Sequence, residues 1–208
     1  MPLLSEIEEK QKKVAWFVSN CNDAPSKRLK LVREMQQYID IDIYGKCGTL
    51  SCSKRNQERC YKDIERQYKF YLSFENSLCQ DYVTEKLFYL LNYNIVPVVY
   101  GGVDYNVMAP PHSVINVMDF ETVPDLVNYL KYLDNNVTEY MKYFEWKKHY
   151  TVKSPKKVMC DLCAKLNQPI KTKVYNNIQE WWRGQHGEIC QKVPEIVTSI
   201  SKKKTKNK

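Results

Sequence analysis

The 208-residue sequence has no apolar run long enough to cross a bilayer. A spanning helix needs about 20 such residues, whereas stretches such as Ile95 to Tyr100 stop far short and include Pro97. A secretory leader is not expected either. The opening Met-Pro-Leu-Leu-Ser-Glu-Ile-Glu-Glu-Lys brings charges in before a hydrophobic stretch can form, so the chain as written shows no targeting address. Histidine is scarce, at three residues. His112 follows Pro110-Pro111 and His149 sits among lysines, neither with a serine or cysteine partner at a telling spacing, so both read as surface residues. Strong net charge is also missing from most of the chain. Of the formal +8, five lysines lie in Ser201 to Lys208, which leaves +3 on residues 1–200. That tail reads as a solvated, disordered end and not as a phosphate contact.

What is present is enough apolar material for a core: 43% of residues are hydrophobic and 27% charged, which suits one ordinary globular domain and excludes a mini-protein held only by staples. The eight cysteines are Cys21, Cys47, Cys52, Cys60, Cys79, Cys160, Cys163 and Cys190. An even number fits an oxidising compartment better than the cytosol, where such a count suggests metal sites. The sequon Asn136-Val137-Thr138 makes Asn136 a glycosylation candidate and lends weak support to a lumenal address. The cysteines therefore point to the secretory pathway while the N-terminus offers no route into it.

Strand and helix patterns alternate along the chain. Val14 to Val18 is a short apolar run, and a cluster of turn and cap residues follows it. From Lys27 the apolar residues Leu29, Val32, Met35 and Ile39 recur at helical steps, and Ile41 to Gly45 reads as a strand before a cysteine-containing loop. The unit repeats with Tyr68 to Phe74 as a strand, Val83 to Leu91 as a helix and Ile95 to Tyr100 as a strand ending in Gly101-Gly102. Val114 to Val117 is a further strand candidate, and Val123 to Leu133 a helix with Val123, Leu126, Val127, Leu130 and Leu133 on one face. This alternation predicts an α/β fold, a doubly wound and mostly parallel sheet whose ligands bind beyond the carboxyl ends of the strands. Pro97 is an objection, since proline lacks a ladder donor and prefers an edge or a bulge. Past Tyr150 the alternation stops, and helical stretches carry Cys160-Asp161-Leu162-Cys163 and Ile178 to Trp182.

The most informative stretch runs from Phe70 to Phe88. Apolar strand residues give way at Glu75 to a polar loop, and Asp81 reads as the N-cap of the next helix. Glu85 and Lys86 then fall in its first turns. Free backbone donors and a lysine suit a diphosphate, although an ordinary amphipathic helix with a solvated Glu-Lys pair has the same pattern.

Phe74-Glu75-Asn76-Ser77 followed by Tyr82-Val83-Thr84-Glu85-Lys86 is similar to the signature of the α1,3/4-fucosyltransferases, glycosyltransferase family 10. The resemblance reaches back to Ser19-Asn20-Cys21 with Arg28, and forward through Pro97 to Gly102 as far as Asp119-Phe120, covering about residues 13–150. It implies a Rossmann-like domain, the C-terminal half of a GT-B fold, that binds GDP-fucose. Carried over by motif position, Arg28, Asn76, Tyr82, Glu85 and Lys86 are the donor contacts. Arg28 and Lys86 would stabilise the leaving diphosphate, and Glu85 the charge or hydroxyls of the sugar side. No metal is required in this reading, and stimulation by Mn2+ is left open. Asp104 and Tyr105, just past a strand end, are further candidates for the donor pocket.

In the family the general base belongs to an N-terminal acceptor domain. The chain is therefore expected to be the donor-binding part of an inverting transferase that places fucose in α1,3 linkage on an N-glycan GlcNAc. The acceptor domain, base, stem and membrane anchor lie outside it in this reading. The resemblance implies a lumenal Golgi membrane address for the full-length relative, with the membrane reached only through that anchor, the N-glycan through the acceptor domain, and no nucleic acid as partner. The expected organisation is a nucleotide-sugar domain at 13–150, a helical Cys-x-x-Cys appendage at 151–195 and a disordered lysine-rich tail at 196–208. Two rivals remain: an inert or merely donor-binding fragment, and a basic zinc or nucleic-acid binding protein.

All eight cysteines are disulfide candidates. The connectivity is unreadable, with Cys47, Cys52 and Cys60 free to pair among themselves or with Cys21 or Cys79. Cys160, Cys163, His186 and Cys190 have ligand types that zinc uses, but the gap between the two halves is not a standard finger spacing. Cys-x-x-Cys followed by Val174-Tyr175 and Trp181-Trp182 is similar to fucosyltransferases that modify the innermost GlcNAc of N-glycans. The aromatics from Tyr140 to Trp146 read as packing and not as a sugar platform.

Overall fold

The computed structural model describes residues 1–22, 24–52, 56–152, 158–169, 172–185 and 188–199. The lysine tail at 201–208 and His186 lie outside the described residues. Five parallel strands form one sheet in the order β2-β1-β3-β4-β5, with β1 at Lys12–Phe17, β2 at Ile41–Tyr44, β3 at Tyr68–Phe74, β4 at Val96–Tyr100 and β5 at Ile115–Asn116. A short helix α1 (Leu4–Glu8) precedes the sheet, and α2 (Arg28–Met35) and α3 (Gln57–Gln67) make the first two crossovers. The third is one turn of helix, α4 (Glu85–Phe88), continued by a 3-10 turn at Leu90–Asn92. Then come α5 (Tyr105–Met108), α6 (Val123–Asn135), α7 (Val137–Lys142), α8 (Val158–Leu166) and α9 (Ile178–Arg183).

The two faces of the sheet follow from the two-residue period of a strand. Val14, Trp16, Phe70, Leu72 and Phe74 point to one side and pack on Leu31 and Met35 of α2, Leu126 and Leu130 of α6 and Tyr140 of α7. Ala15 and Tyr71 point to the other, against Tyr61 and Ile64 of α3. Val99 joins a third cluster with Leu87, Tyr105 and Trp146. Each large side chain so buried contributes about 1.5–3 kcal/mol. Helices thus cover both faces, which is the doubly wound arrangement expected from the alternation, and Tyr140, Phe144 and Trp146 are packed in the core. Pro97 is accommodated because β5 pairs only with Val98 and Val99, so β4 at Pro97 has a laddered neighbour on the β3 side alone.

Several details differ from the sequence expectations. The cysteine-containing segment before β3 holds the helix α3, whose narrow apolar stripe of Tyr61 and Ile64 is enough to seat it. The helix expected over Val83 to Leu91 is broken into α4 and the 3-10 turn, and its N-cap is Thr84 and not Asp81. Asp81 instead sits in a turn with φ of 57°. The tail expected from residue 196 does not include residues 196–199, because residues 195–199 are helical and Ile196 and Val197 are buried in the main core.

The disulfides are Cys21–Cys47, Cys52–Cys60 and Cys79–Cys190. Cys160 and Cys163, expected as disulfide partners, are exposed thiols on α8, a helix that buries none of its side chains and brings no other cysteine to them. The bond to Cys79 also removes Cys190 from the zinc reading. Asn136 caps α7, its Oδ1 accepting from Glu139 N at 3.2 Å. Among the described residues no helix is long and apolar enough to cross a membrane.

Below the amino end of the sheet two lysines are drawn inward. Lys10 Nζ donates to the carbonyls of Tyr68 (3.1 Å), Asn94 (2.6 Å) and Glu65. Burial pulls its pKa down to about 8, with Glu65 and Glu6 opposing the shift. Lys147 Nζ donates to Tyr93 O at 2.8 Å and Asn94 Oδ1 at 2.9 Å, and burial likewise lowers it to about 8 against Glu65.

Candidate functional site

The strand order reverses between β1 and β3. From β1 the chain crosses outward to β2, then returns to β3 on the other side, so loops leave the carboxyl ends of these neighbours in opposite directions and open a crevice. The segment after β1 leads to Arg28 and the segment after β3 begins with Glu75 and Asn76. Two stretches of the signature are therefore brought together by topology.

Lys27, in the left-handed region with φ of 56°, turns the chain into α2. That turn sets Arg28 beneath the crevice, 3% exposed. Its Nη1 donates to Phe74 O at 2.8 Å and its guanidinium lies 5.6 Å from the centroid of the Trp16 ring. Burial lowers the Arg28 pKa, and the Glu75 carboxylate is the first of the groups that oppose it. Ser26 ties the two loops together: its N donates to Asn76 O at 3.0 Å, its Oγ to Glu75 O at 2.8 Å, and its carbonyl accepts from Tyr100 Oη at 2.8 Å.

Glu75 is 1% exposed and is the centre of the site. Its Oε1 accepts from Thr84 N at 2.9 Å and Thr84 Oγ1 at 2.8 Å, and its Oε2 accepts from Lys86 Nζ at 2.9 Å. Lys86 Nζ also donates to Thr84 Oγ1 at 2.8 Å, while a quarter of its side chain (26%) stays open to solvent. The anion at the start of α4 is thus supplied by the protein itself. In the sequence Glu75 is one residue of the motif with no role of its own. A carboxylate directly after a strand that is buried along nearly its whole length has to find cations or N–H donors, and that is the available signal.

The other expected residues are placed as follows. Asn76 is half-buried and its Oδ1 lacks a hydrogen-bond partner, as does Arg28 Nε; both are buried polar atoms facing no partner among the described residues. Such orphan atoms cost stability unless something else satisfies them. Tyr82 is half-buried at the end of the loop, within electrostatic reach of Arg28. Glu85 is 76% exposed at the lip, its Oε1 3.8 Å from Lys86 Nζ. Asp104 caps α5, accepting from Asn106 N at 2.9 Å, and Tyr105 is buried beside Gly101 with its pKa raised by burial and by Glu75. Gly102 lies so close to the Leu78 and Cys79 backbone that a Cβ would collide with it.

A cleft of about 520 Å³ opens beyond Tyr105 toward His112, Asn116 and Tyr143. A second of about 660 Å³ lies between Tyr82 and Trp181-Trp182. Arg28, Lys86 and Asn76 line neither of these clefts; around Glu75 they offer two cations and an amide to an anionic, hydroxylated ligand. Among the described residues there is no group of three side chains that would hold a metal ion.

Comparison with known proteins identifies the family. Residues 7–181 match the family model "Glycosyltransferase family 10 (fucosyltransferase) C-term". The chain is 47% identical over 178 residues to alpha-(1,3)-fucosyltransferase C of Drosophila melanogaster, covering 83% of this chain and 41% of that protein. It is 43% identical over 188 residues to glycoprotein 3-alpha-L-fucosyltransferase A of the same organism, covering 84% and 36%. A solved α1,3-fucosyltransferase with GDP-fucose superposes with a TM-score of 0.60 at 23% identity, over 83% of this chain and 51% of that one, which bears on the fold. The chain spans about half or less of the length of each of these relatives.

Proposed function

The chain belongs to glycosyltransferase family 10, the fucosyltransferases, and from that premise we propose that its switch-point crevice holds the GDP-fucose donor of an α1,3-fucosyltransferase. The observation that supports this reading most directly is the convergence of Arg28, Asn76 and Lys86 around buried Glu75, with unpartnered polar atoms on Arg28 and Asn76.

As the bond between the sugar and the diphosphate lengthens, negative charge grows on the leaving group and positive charge on the ring. Arg28 and Lys86 are the two protein cations here, and in this reading they stabilise the diphosphate without a divalent ion. Glu75 orients Lys86 so that little rearrangement is needed when the charge develops. Asn76 and Tyr82 bind hydroxyl or phosphate oxygens. Glu85, at the lip, faces the sugar side, where a carboxylate supports ribose or fucose hydroxyls and the ring charge.

The acceptor is an N-glycan GlcNAc in this proposal. In this proposal the carboxylate that deprotonates its hydroxyl comes from a part of the enzyme outside this chain. The lumenal face of the Golgi is the corresponding address, in keeping with three disulfides.

Calorimetric titration with GDP-fucose, with GDP-mannose as control, tests the reading. Saturable binding that Lys86→Ala weakens about tenfold, a loss of about 1.4 kcal/mol, is expected. No binding, or equal binding of both sugars with no effect of Lys86→Ala, would overturn it.

A further inference from the structure

We propose that Trp181 and Trp182 form a stacking platform for a pyranose ring of the acceptor oligosaccharide, a site that rests on the donor reading above. Trp181 is 51% and Trp182 69% exposed, an unusual state for two adjacent indoles in a soluble domain. Their centroids are 6.0 Å apart at 46°, and Tyr175 extends the row with its centroid 4.7 Å from that of Trp181.

The helix that carries the rings is fixed at both ends. Asn177 Oδ1 accepts from Gln179 N and Glu180 N, both at 3.1 Å, and fixes the start of α9. At its other end Gly184 takes a φ of 78°. Residues 189–191 then pair with the signature loop: Gln80 N donates to Ile189 O and Gln191 N to Leu78 O, both at 2.7 Å, and Cys79–Cys190 locks the pairing covalently. The appendage is therefore anchored to the same loop that ends in Tyr82.

The groove between them argues for a sugar. Its lining combines the two indoles with Tyr82, the polar side chains of Ser77, Gln80 and Asp81, and the cation of Arg183. A pyranose has an apolar C–H face and a ring of hydroxyls, so one side of it suits the indoles and its edge suits the polar side chains. The volume of about 660 Å³ lies within the range of small-ligand sites. Position favours the acceptor over an unrelated ligand. The groove is lined by Ser77, Gln80, Asp81 and Tyr82 of the same loop that starts with Glu75 and Asn76, so a glycan stacked here arrives beside the crevice assigned to the donor.

The test titrates the full chain with N,N′-diacetylchitobiose by tryptophan fluorescence and saturation-transfer NMR, and in parallel with GDP-fucose. Saturable chitobiose binding is expected, weakened about fivefold (roughly 1 kcal/mol) by Trp181→Ala or Trp182→Ala and restored by Trp182→Phe, with GDP-fucose affinity unchanged. The substituted side chains are exposed, so circular dichroism should match the parent. Absence of chitobiose binding, or binding indifferent to both alanine variants, overturns the proposal. So does a loss of GDP-fucose affinity in place of chitobiose affinity, which would assign the rings to the nucleotide base. A tryptophan-dependent dimer in sedimentation, with no chitobiose effect, would assign them to a second copy and equally overturn it. Tryptophan-dependent chitobiose binding without any GDP-fucose binding would sustain the platform while the donor reading fails.

Discussion

Glu75 Oε2 lies 2.9 Å from Lys86 Nζ, and the same carboxylate takes both the N–H and the hydroxyl of Thr84. The pair is asymmetric: the acid is almost wholly buried and the lysine keeps a solvent-facing side. Losing the lysine therefore strands a buried charge, while losing the acid frees a cation that water can reach.

Lys86→Ala should accordingly lower stability more than Glu75→Gln. The glutamine retains an acceptor for Thr84, and its expected cost is about 1–2 kcal/mol against about 3 for Lys86→Ala. Urea unfolding of both variants at neutral pH measures the order, and the reverse order would mean that Thr84 and not Lys86 satisfies the carboxylate.

Arg28→Lys removes a planar group that bonds Phe74 O and lies over Trp16. Lysine reproduces neither contact geometry. A stability loss of about 1–3 kcal/mol is expected in denaturant titration, together with weaker GDP-fucose binding by calorimetry. A variant as stable as the parent would show that the buried guanidinium is not structural.

Cys190→Ser opens a bond that closes the chain over a sequence separation of 111. Loops of that size are worth about 2–5 kcal/mol when cross-linked. Unfolding should shift by that order, and limited proteolysis should cleave near α9 first, since among the described residues two backbone hydrogen bonds between residues 189–191 and the signature loop then hold the strap. Non-reduced peptide mapping should find Cys21 with Cys47, Cys52 with Cys60 and Cys79 with Cys190, and alkylate Cys160 and Cys163.

Lys10 and Lys147 set a pH dependence. Both have folded-state pKa values near 8 against 10.5 for an unperturbed lysine. Between those values the unfolded chain holds more protons, so stability should rise as pH increases from about 8 toward 10.5, by at most about 3 kcal/mol for Lys10. Urea midpoints from pH 7.5 to 9.5 check the sign, and Lys10→Met should flatten the rise. A midpoint that falls over this range in the parent but not in Lys10→Met would contradict it.

The sequence by itself determined the alternation, the sheet class and the faces, because a period of two in Phe70, Leu72 and Phe74 and of three to four in α6 depends only on which residues are apolar. It also determined the family, whose motif is a local string of residue types. It did not disclose α3, where a buried stripe of only Tyr61 and Ile64 in eleven residues is too weak to read, nor the burial of Ile196 and Val197 beside a run of lysines. Tertiary structure alone decided that Glu75 would hold Lys86, that Asn76 and Arg28 would share a crevice, and that Cys79 would find Cys190. Each of these depends on where the chain returns. The strand-order reversal between β1 and β3 brings Arg28 under Phe74, and the strap at 189–191 carries two tryptophans to the edge of the signature loop. No local pattern encodes such meetings, because their free energy is gained only once the sheet that hosts them has formed.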